Sequence, residues 1–322
     1  LSIRRQRQMC IRDRCNTTCD GSLMGNGIEA RSFKIPTFQL AVPIRHRQES
    51  VQEYAAEEVV NAIHFIEEQT GEKFDWDAFF KSMKRFNAET EEFLEWMEIS
   101  KTDYPQVMGV TLALYRYGVY QAAGGRNQAF LDMDKKLTKM ALDAYKSKEM
   151  AAKEYRHRAM TWGVQAAYYT ALPIWLLNCW GVVTIADMLS MVSTEMVNTE
   201  DKHQAMLDLA YLYENMIMRN RSNGGYETGV EALWRFCEMF NIDIVIMYVH
   251  MGCKSMSGYH GLFEEEARKH GIHLIWVTHN LMCPEDGTRR DMRTEINRYM
   301  RTVFREEPLD PSLEDFDDSK SW

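Results

Sequence analysis

The segment at residues 242–254, IDIVIMYVHMGCK, constrains the fold more than any other part of the chain. A run of β-branched and apolar residues stops at His250, and a turn rich in Ser and Gly follows before a new helical pattern. Such a run predicts a strand. In open α/β sheets, ligands bind just beyond the carboxyl ends of the strands. Cys253 therefore stands where a functional side chain is expected.

Strand and helix patterns alternate through the second half of the chain. We predict further strands at 164–172, 181–187 and 272–278, and helices at 174–180, 201–218, 227–240, 259–270 and 289–304. Strands that alternate with helices indicate a parallel sheet built from right-handed crossovers. The sequence therefore predicts an α/β fold.

The first half of the chain has a different pattern. A turn-rich loop at 15–22 precedes a short helix and a strand at 35–43, and helical periodicity then continues to about residue 156. We predict five parts: a tail (1–14), the remnant of an N-terminal α/β domain (15–47), a helical region (48–158), a C-terminal α/β domain (159–306) and an acidic, loosely ordered tail (307–322).

Residues 1–14 differ in character from the rest of the chain. They hold five arginines and one aspartate, show no helical or strand period, and do not begin with Met. The string MCIRDR resembles translated adapter sequence. We expect this tail to be non-native, and we expect the natural N-terminal residues to be missing from the sequence.

Composition excludes several classes of function. The net charge of −9 argues against a nucleic-acid-binding protein, which needs a basic face. No run of apolar residues is long enough to cross a bilayer, and no signal peptide is apparent. Seven unevenly spaced cysteines in such a chain favour reduced thiols over a disulfide framework. We therefore expect a cytoplasmic protein.

Standard catalytic and nucleotide motifs are absent from the sequence, including the Walker loop, GxGxxG after a strand, GxSxG, HExxH and CxxC. Two cysteines lie in predicted loops beside glycine: Cys19 in NTTCDG and Cys253 in HMGCK. Thiolates in such loops can bind soft metal centres, including iron–sulfur clusters. The residues alone also allow two structural free thiols, and they allow His250 to be either a structural histidine or a hydrogen-bonding group near a cofactor. Cys179 and Cys237 lie on predicted helices, and we expect both in the core.

The order of these segments resembles the 2-hydroxyacyl-CoA dehydratase family. The resemblance depends on NTTCDG, IPTFQLAVP, a long helical segment, HMGCK and HGIHLIWVTHNL, and it covers residues 15–304. The family includes the 2-hydroxyglutaryl-CoA dehydratase component D and the benzoyl-CoA reductase subunits. It implies two flavodoxin- or Rossmann-like parallel-sheet domains, the first mostly missing here, with a helical insert between them.

The resemblance also implies a [4Fe-4S] cluster held by three cysteines. Cys19 matches the second ligand and Cys253 the third, and the first is expected in the missing N-terminal region. The substrate-contacting groups of the family lie in that region as well. The catalytic residues are therefore left unassigned.

The activity implied is that of a lyase, a hydro-lyase that removes water from a 2-hydroxyacyl-CoA through a ketyl radical after one-electron reduction. The implied partners are a homologous second subunit that completes a heterodimer and an ATP-dependent iron–sulfur activator protein, both working anaerobically. A benzoyl-CoA reductase-type subunit and a non-catalytic cluster-binding partner subunit are the alternatives. Neither nucleic acid nor a membrane is an expected partner.

Overall fold

A computed structural model describes residues 13–16, 20–34, 36–40, 49–106, 128–150, 154–188, 195–215 and 226–316. The chain divides into two compact units. The first comprises Leu1–Thr90, Gly124–Gln128 and Val192–Gly229, and the second comprises Glu91–Ala123, Ala129–Met191 and Val230–Trp322.

The described part of the chain forms six strands and ten α-helices. In chain order these are β1 (Asp13–Asn16), α1 (Asp20–Phe33), β2 (Thr37–Leu40), α2 (Glu49–Thr70), α3 (Trp76–Ser100), α4 (Gln128–Lys146), β3 (His157–Trp162), α5 (Leu172–Trp180), β4 (Val182–Asp187), α6 (Lys202–Glu214), α7 (Tyr226–Met239), β5 (Ile244–His250), α8 (Lys254–Gly258), α9 (His260–His270), β6 (His273–His279) and α10 (Arg289–Tyr299). A π-helical turn (Met300–Phe304) and a 3-10 turn (Pro311–Leu313) follow.

The first unit contains a small parallel sheet and helices. β1 and β2 pair in parallel, with Asp13 opposite Thr37, and α1 connects them. Helices α2 and α6 pack against each other. The side chain of Asn87 accepts from the backbone N–H of Val197 at 2.9 Å and donates to its carbonyl at 2.8 Å, which fixes the segment ahead of α6 on α3.

The second unit is built around a four-stranded parallel sheet in the order β4-β3-β5-β6. β5 is an inner strand, and its residues from Ile244 to Tyr248 are buried. Because helices cover both faces of such a sheet, an inner strand carries a continuous apolar run instead of an alternating one. This explains the sequence pattern at 242–249, and the α/β class is confirmed.

Local signals set the ends of the helices around this sheet. α5 has Pro173 in its first turn and ends at Gly181, whose left-handed conformation suits glycine. α10 begins with a capping box, in which Thr288 and Asp291 each accept from the other's backbone N–H. α9 ends at Gly271, again in the left-handed conformation.

The main core of the second unit lies on one face of the sheet. It joins inward-facing residues of β3, β5 and β6 to α5, α10 and the π-helical turn. Its largest fully buried members include Trp180, Leu172 and Leu176. Burying a side chain of that size contributes about 1.5–3 kcal/mol. The core fixes the strand ends from which the site is built.

The strands β4, β5 and β6 fall within two residues of their predicted positions, and β2 falls within three. β1 was not predicted, because residues 13–16 were assigned to the tail and the turn-rich loop, and the predicted strand at 164–172 is wrong. The strand is His157–Trp162, and residues 164–171 form turns beyond its carboxyl end. The pattern was missed because the strand opens with His157 and Arg158, which are polar. Both residues bond to Asp243, a partner that local sequence does not reveal.

Two further expectations need correction. The helix predicted to reach residue 156 ends at Lys146. The tail was expected to be loosely ordered, yet within residues 307–316 the N–H of Leu309 donates to the Cys179 carbonyl at 2.7 Å. Nε1 of Trp175 donates to the Leu313 carbonyl at 2.8 Å, so the acidic composition did not prevent packing. Residues 107–127 of the predicted helical region fall outside the described residues.

Candidate functional site

The carboxyl ends of β5 and β6 create the candidate site. The strands end at His250 and His279, which are paired in register. Beyond them the N–H of Met251 donates to the His279 carbonyl at 3.0 Å, and the N–H of Cys253 donates to the His250 carbonyl at 2.8 Å. This turn places Cys253 just past the strand end, as the cap residue of α8. The predicted location of Cys253 is confirmed.

The thiol of Cys253 has a different environment from the core thiols. Cys253 is half-buried, and its Sγ lies 3.7 Å from Oγ of Ser255. Cys179 and Cys237 are buried on helices, as expected, and burial is the main cause that raises the pKa of each thiol to about 12. Those two remain protonated core residues, whereas Cys253 sits on an accessible edge of the sheet.

Three rings, those of Tyr248, His250 and His279, lie behind the Cys253 turn and are called the ring row below. The ring centroids of Tyr248 and His279 are 5.7 Å apart in an edge-on arrangement, and those of His250 and His279 are 6.2 Å apart. Tyr248 and His279 are buried. The row continues the core face of β5 above Ile244 and Ile246, so the same face changes from apolar to polar at its carboxyl end.

The ring row contains polar atoms that the fold does not pair. Within the described residues, neither the hydroxyl of Tyr248 nor Nδ1 of His250 has a hydrogen-bond partner, although both atoms are buried. A buried polar group without a partner costs about 1–3 kcal/mol. Native folds leave few such groups, and those that remain often mark functional positions.

Burial keeps Tyr248 and His279 of the ring row uncharged. The pKa of Tyr248 is raised above its ordinary value, first by burial and then by the nearby groups Tyr169 and Asp187. The pKa of His279 is lowered, chiefly by burial, with a smaller contribution from His250, although backbone groups of neighbouring residues oppose the shift. Tyr248 and His279 are therefore neutral groups that can donate a hydrogen bond.

Two glycines let loops approach this edge more closely than any side chain would allow. Gly163 follows β3 with φ +101°, and a Cβ there would lie 2.3 Å from the carbonyl oxygen of Tyr248. Gly287 has φ +122°, and a Cβ there would lie 2.9 Å from the Cα of His279. Both positions require glycine, because they combine positive φ with backbone contact. The loops after β3 and β6 thus lie directly on the strand ends.

The same two loops are joined to each other. The hydroxyl of Tyr168 donates to the Gly287 carbonyl, and the N–H of Ala167 donates to the Leu281 carbonyl at 3.0 Å. Nε of Arg289 donates to the Tyr168 carbonyl at 3.1 Å. Together they form one cover, residues 163–171 and 280–288, which shields the buried rings from water.

His250 links the ring row to the Cys253 turn. A Cβ on Gly252 would lie 3.1 Å from Nε2 of His250, so the imidazole lies directly beside the backbone that carries Cys253. The sequence predicted only Cys253 at this edge and left the role of His250 open. Tyr248 and His279 were missed. The available signal was the two-residue spacing of Tyr248 and His250 on one face of a strand.

The second predicted ligand, Cys19, lies outside the described residues, and its pairing with Cys253 remains a prediction. Among the residues that the structure does describe, no group of three or more His, Cys, Asp or Glu side chains could hold a metal ion. The described part of the site therefore offers one cysteine thiol. No helix in these same residues is long and apolar enough to span a membrane.

An open α/β sheet with a thiol beyond a strand end is typical of ligand- and cofactor-binding domains. The family model of the 2-hydroxyglutaryl-CoA dehydratase D-component matches residues 14–299. The chain belongs to this family and is a component of a 2-hydroxyacyl-CoA dehydratase. The match includes Cys19, Cys253 and both sheets except for Asp13, so the family resemblance read from the sequence is confirmed. A search of curated proteins finds no match.

Proposed function

We propose that this chain is a subunit of an iron–sulfur dehydratase that eliminates water from a 2-hydroxyacyl-CoA. The observation that carries the proposal is the family match over residues 14–299, within which Cys253 occupies the ligand-binding edge of a parallel sheet. Family membership supports the substrate class. The location of Cys253 supports a cofactor at that edge.

The described residues fit part of a cluster site. Iron–sulfur clusters are held by cysteine thiolates on loops. Cys253 offers such a thiol on the turn that follows β5, next to Gly252. In this proposal Cys253 and Cys19 each bind one iron of a [4Fe-4S] cluster. When bound, the cluster supplies single electrons at low potential, which is the chemistry that a radical dehydration needs.

In this proposal the chain binds and orients the substrate, and it shields the site from water. The cover formed by residues 163–171 and 280–288 keeps water from the strand ends, which strengthens hydrogen bonds and charge interactions there. The substrate thioester takes up one electron to give a ketyl radical anion. Loss of the 2-hydroxyl as hydroxide and of a proton from C3, together one water, leaves the radical anion of the enoyl-CoA, which becomes the enoyl-CoA when it gives up the electron. The electron is returned at the end, so the net reaction is an elimination without net oxidation.

A thioester accepts an electron only from a strong reductant, so the proposal includes partners. An ATP-dependent iron–sulfur activator would deliver the electron, and a homologous second subunit would complete the heterodimer. Membership of the D-component family supports a multi-component system, and the activator and the second subunit are the partners that we propose for it.

Iron content tests the cluster directly. The full-length protein is purified anaerobically, and iron and acid-labile sulfide are measured in the parent and in Cys253→Ala, Cys19→Ala and Cys283→Ala. Cys283 is the matched control, because it is a half-buried cysteine on the cover whose thiol donates to Glu285 at 2.8 Å. We expect about four irons in the parent and in Cys283→Ala, with most of the iron lost from the other two. Full iron in both ligand variants contradicts the proposal.

Activity assays test the reaction. The holoprotein is combined with its second subunit, the activator, ATP and a panel of 2-hydroxyacyl-CoA thioesters, and enoyl-CoA formation is measured. We expect water elimination that depends on the activator and ATP. Reduction of an aromatic thioester without dehydration would instead indicate a benzoyl-CoA reductase-type subunit. Activity that survives loss of this chain's cluster would indicate a non-catalytic partner subunit.

A further inference from the structure

Cys253 is the only residue of the carboxyl edge to which the proposed function gives a role, and the ring row beside it is left without one. We infer that His250 is a positioning residue, which supports the Cys253 turn and donates a hydrogen bond to the sulfur of the group bound there. The inference rests on the proposed function, because it takes that group to be an iron–sulfur cluster. It goes further by assigning to this chain the residue that sets the cluster's reduction potential.

Two contacts join His250 to the turn. Its carbonyl accepts the N–H of Cys253 at 2.8 Å, and its Nε2 faces Gly252, where a Cβ would lie only 3.1 Å away. The backbone of His250 thus holds the segment that carries the thiol, and its imidazole lies against the same segment.

The ring is supported from behind by the rest of the row. The imidazole of His279 lies 6.2 Å away between centroids, and Tyr248 packs edge-on against His279 at 5.7 Å. The cover holds these two buried rings in place, since Gly163 and Gly287 lie against the backbone of Tyr248 and His279. His250 therefore has little freedom to turn away from Gly252.

The hydrogen-bonding capacity of His250 is not used within the fold. Its Nδ1 is buried and has no partner among the described residues. A histidine ring can donate a hydrogen bond from either nitrogen, depending on the partners that it finds. Nε2 lies on the side of Gly252 and the Cys253 turn, and we assign the donated hydrogen bond to this nitrogen. Hydrogen bonds to cluster and cysteine sulfurs raise the reduction potential, because they stabilise the more negative reduced state.

Three variants of His250 separate donation from packing. His250→Phe keeps a ring and removes the N–H, His250→Asn keeps an amide on a shorter side chain, and His250→Gln keeps an amide that reaches about as far as Nε2. His273→Phe is the matched control. His273 begins the same strand that His279 ends, and its Nδ1 lies 3.2 Å from the hydroxyl of Tyr299, far from the Cys253 turn.

The measurements are the melting temperature, the iron content and the midpoint potential of the anaerobic full-length protein, with the potential read by electron paramagnetic resonance. We expect His250→Phe and His250→Asn to retain iron and to titrate at a more negative potential than the parent. His250→Gln should restore most of the difference, and His273→Phe should match the parent. If His250→Phe does not fold, the midpoint potentials of His250→Asn and His250→Gln are compared instead, and the Asn variant should again titrate at the more negative potential.

The outcomes separate this inference from the proposed function. Full iron and an unchanged potential in both His250→Phe and His250→Asn overturn the inference and leave the cluster proposal standing. A shift in His273→Phe of the same size also overturns it, because the effect would then not be local. A parent protein without iron overturns the proposed function and the inference together.

Discussion

The two edges of the four-stranded sheet treat their polar groups in opposite ways. At the amino edge, Nδ1 of His157 lies 2.5 Å from Oδ2 of Asp243, and its Nε2 lies 3.1 Å from Oε1 of Glu306, so both ring nitrogens are paired. At the carboxyl edge, the hydroxyl of Tyr248 and Nδ1 of His250 have no partner in the described part of the chain. The ring nitrogens at the amino edge are hydrogen-bonded, whereas two buried polar atoms at the carboxyl edge are not.

Arg158 extends the contrast at the amino edge. Its guanidinium donates to the carbonyl oxygens of Phe240, Thr102 and Ser100 at 2.8–2.9 Å, and its backbone N–H donates to Asp243 at 2.7 Å. Satisfied polar groups of this kind hold segments together. The amino edge therefore uses its polar groups to hold segments of the chain together. The carboxyl edge leaves buried polar atoms unpaired, and this is the edge for which we propose ligand binding.

The largest effect is expected from Gly163→Ala, which attacks the cover of the carboxyl edge. The added Cβ would lie 2.3 Å from the Tyr248 carbonyl in a residue with positive φ. We expect a loss of about 3 kcal/mol in the free energy of unfolding, measured by urea denaturation. Gly258→Ala, where no atom lies within 4 Å, is the control and should be nearly neutral. Equal losses in both variants would mean that the close approach is not important.

Arg158→Met tests the saturated edge. The substitution leaves three carbonyl groups without their donor, and we expect a loss of about 2 kcal/mol in urea denaturation. Iron content should not change, because the two edges serve different purposes. Arg156→Met is the control, since its side chain makes more exposed contacts with Glu154 and Glu306. A fall in iron that follows Arg158→Met alone would argue against this division of roles.

Tyr248→Phe should change the free energy of unfolding only slightly, and any change should be an increase. It removes a buried hydroxyl that has no partner, so we expect the free energy of unfolding to stay constant or to rise by up to about 1 kcal/mol. Tyr169→Phe is the counterpart, because NH1 of the buried Arg293 donates to the Tyr169 hydroxyl at 3.0 Å. That variant should lose stability. Calorimetry on both decides, and equal losses would show that the Tyr248 hydroxyl is paired.

The smallest effect concerns pH at the amino edge. Burial lowers the pKa of His157, but hydrogen bonding and charge from Asp243 and then Glu306 outweigh it, so the net shift is upward. A raised pKa in the folded state stabilises fully below the unfolded value, about 6.5, and the contribution is lost as pH rises through the folded value. The stability of the parent relative to His157→Gln should therefore fall as pH increases above neutrality. A difference that is constant with pH would contradict this.

The strand and the turn that carry Cys253 could be predicted, because the residues that determine them are neighbours in the sequence. An inner parallel strand shows a continuous apolar run, and Gly252 marks its end. β3 was misplaced because its first residues, His157 and Arg158, are satisfied by Asp243, more than eighty positions away. Long-range partners of this kind leave no local pattern.

The same reason explains what was missed at the site and at the tail. Tyr248 and His279 could not be predicted as site residues, because their burial depends on the cover. The cover reaches them through the close backbone approach of Gly163 and Gly287, which local sequence does not show. The acidic residues after Glu306 suggested disorder, yet Glu314 accepts from Arg301 at 2.6 and 2.8 Å. Composition cannot show which charges will find a partner.

The segment at residues 309–316 has a consequence for how the protein is made. It bonds to α5 through the carbonyl of Cys179 and the indole of Trp175, which is 138 positions from Leu313. Nascent chains fold from the N-terminal side as they emerge, at about 5–20 residues per second. The second unit must therefore wait many seconds, with α5 incompletely covered, until these late residues leave the ribosome. A chain that stops before residue 309 would lack these contacts and would leave the Trp175 side of α5 without this cover.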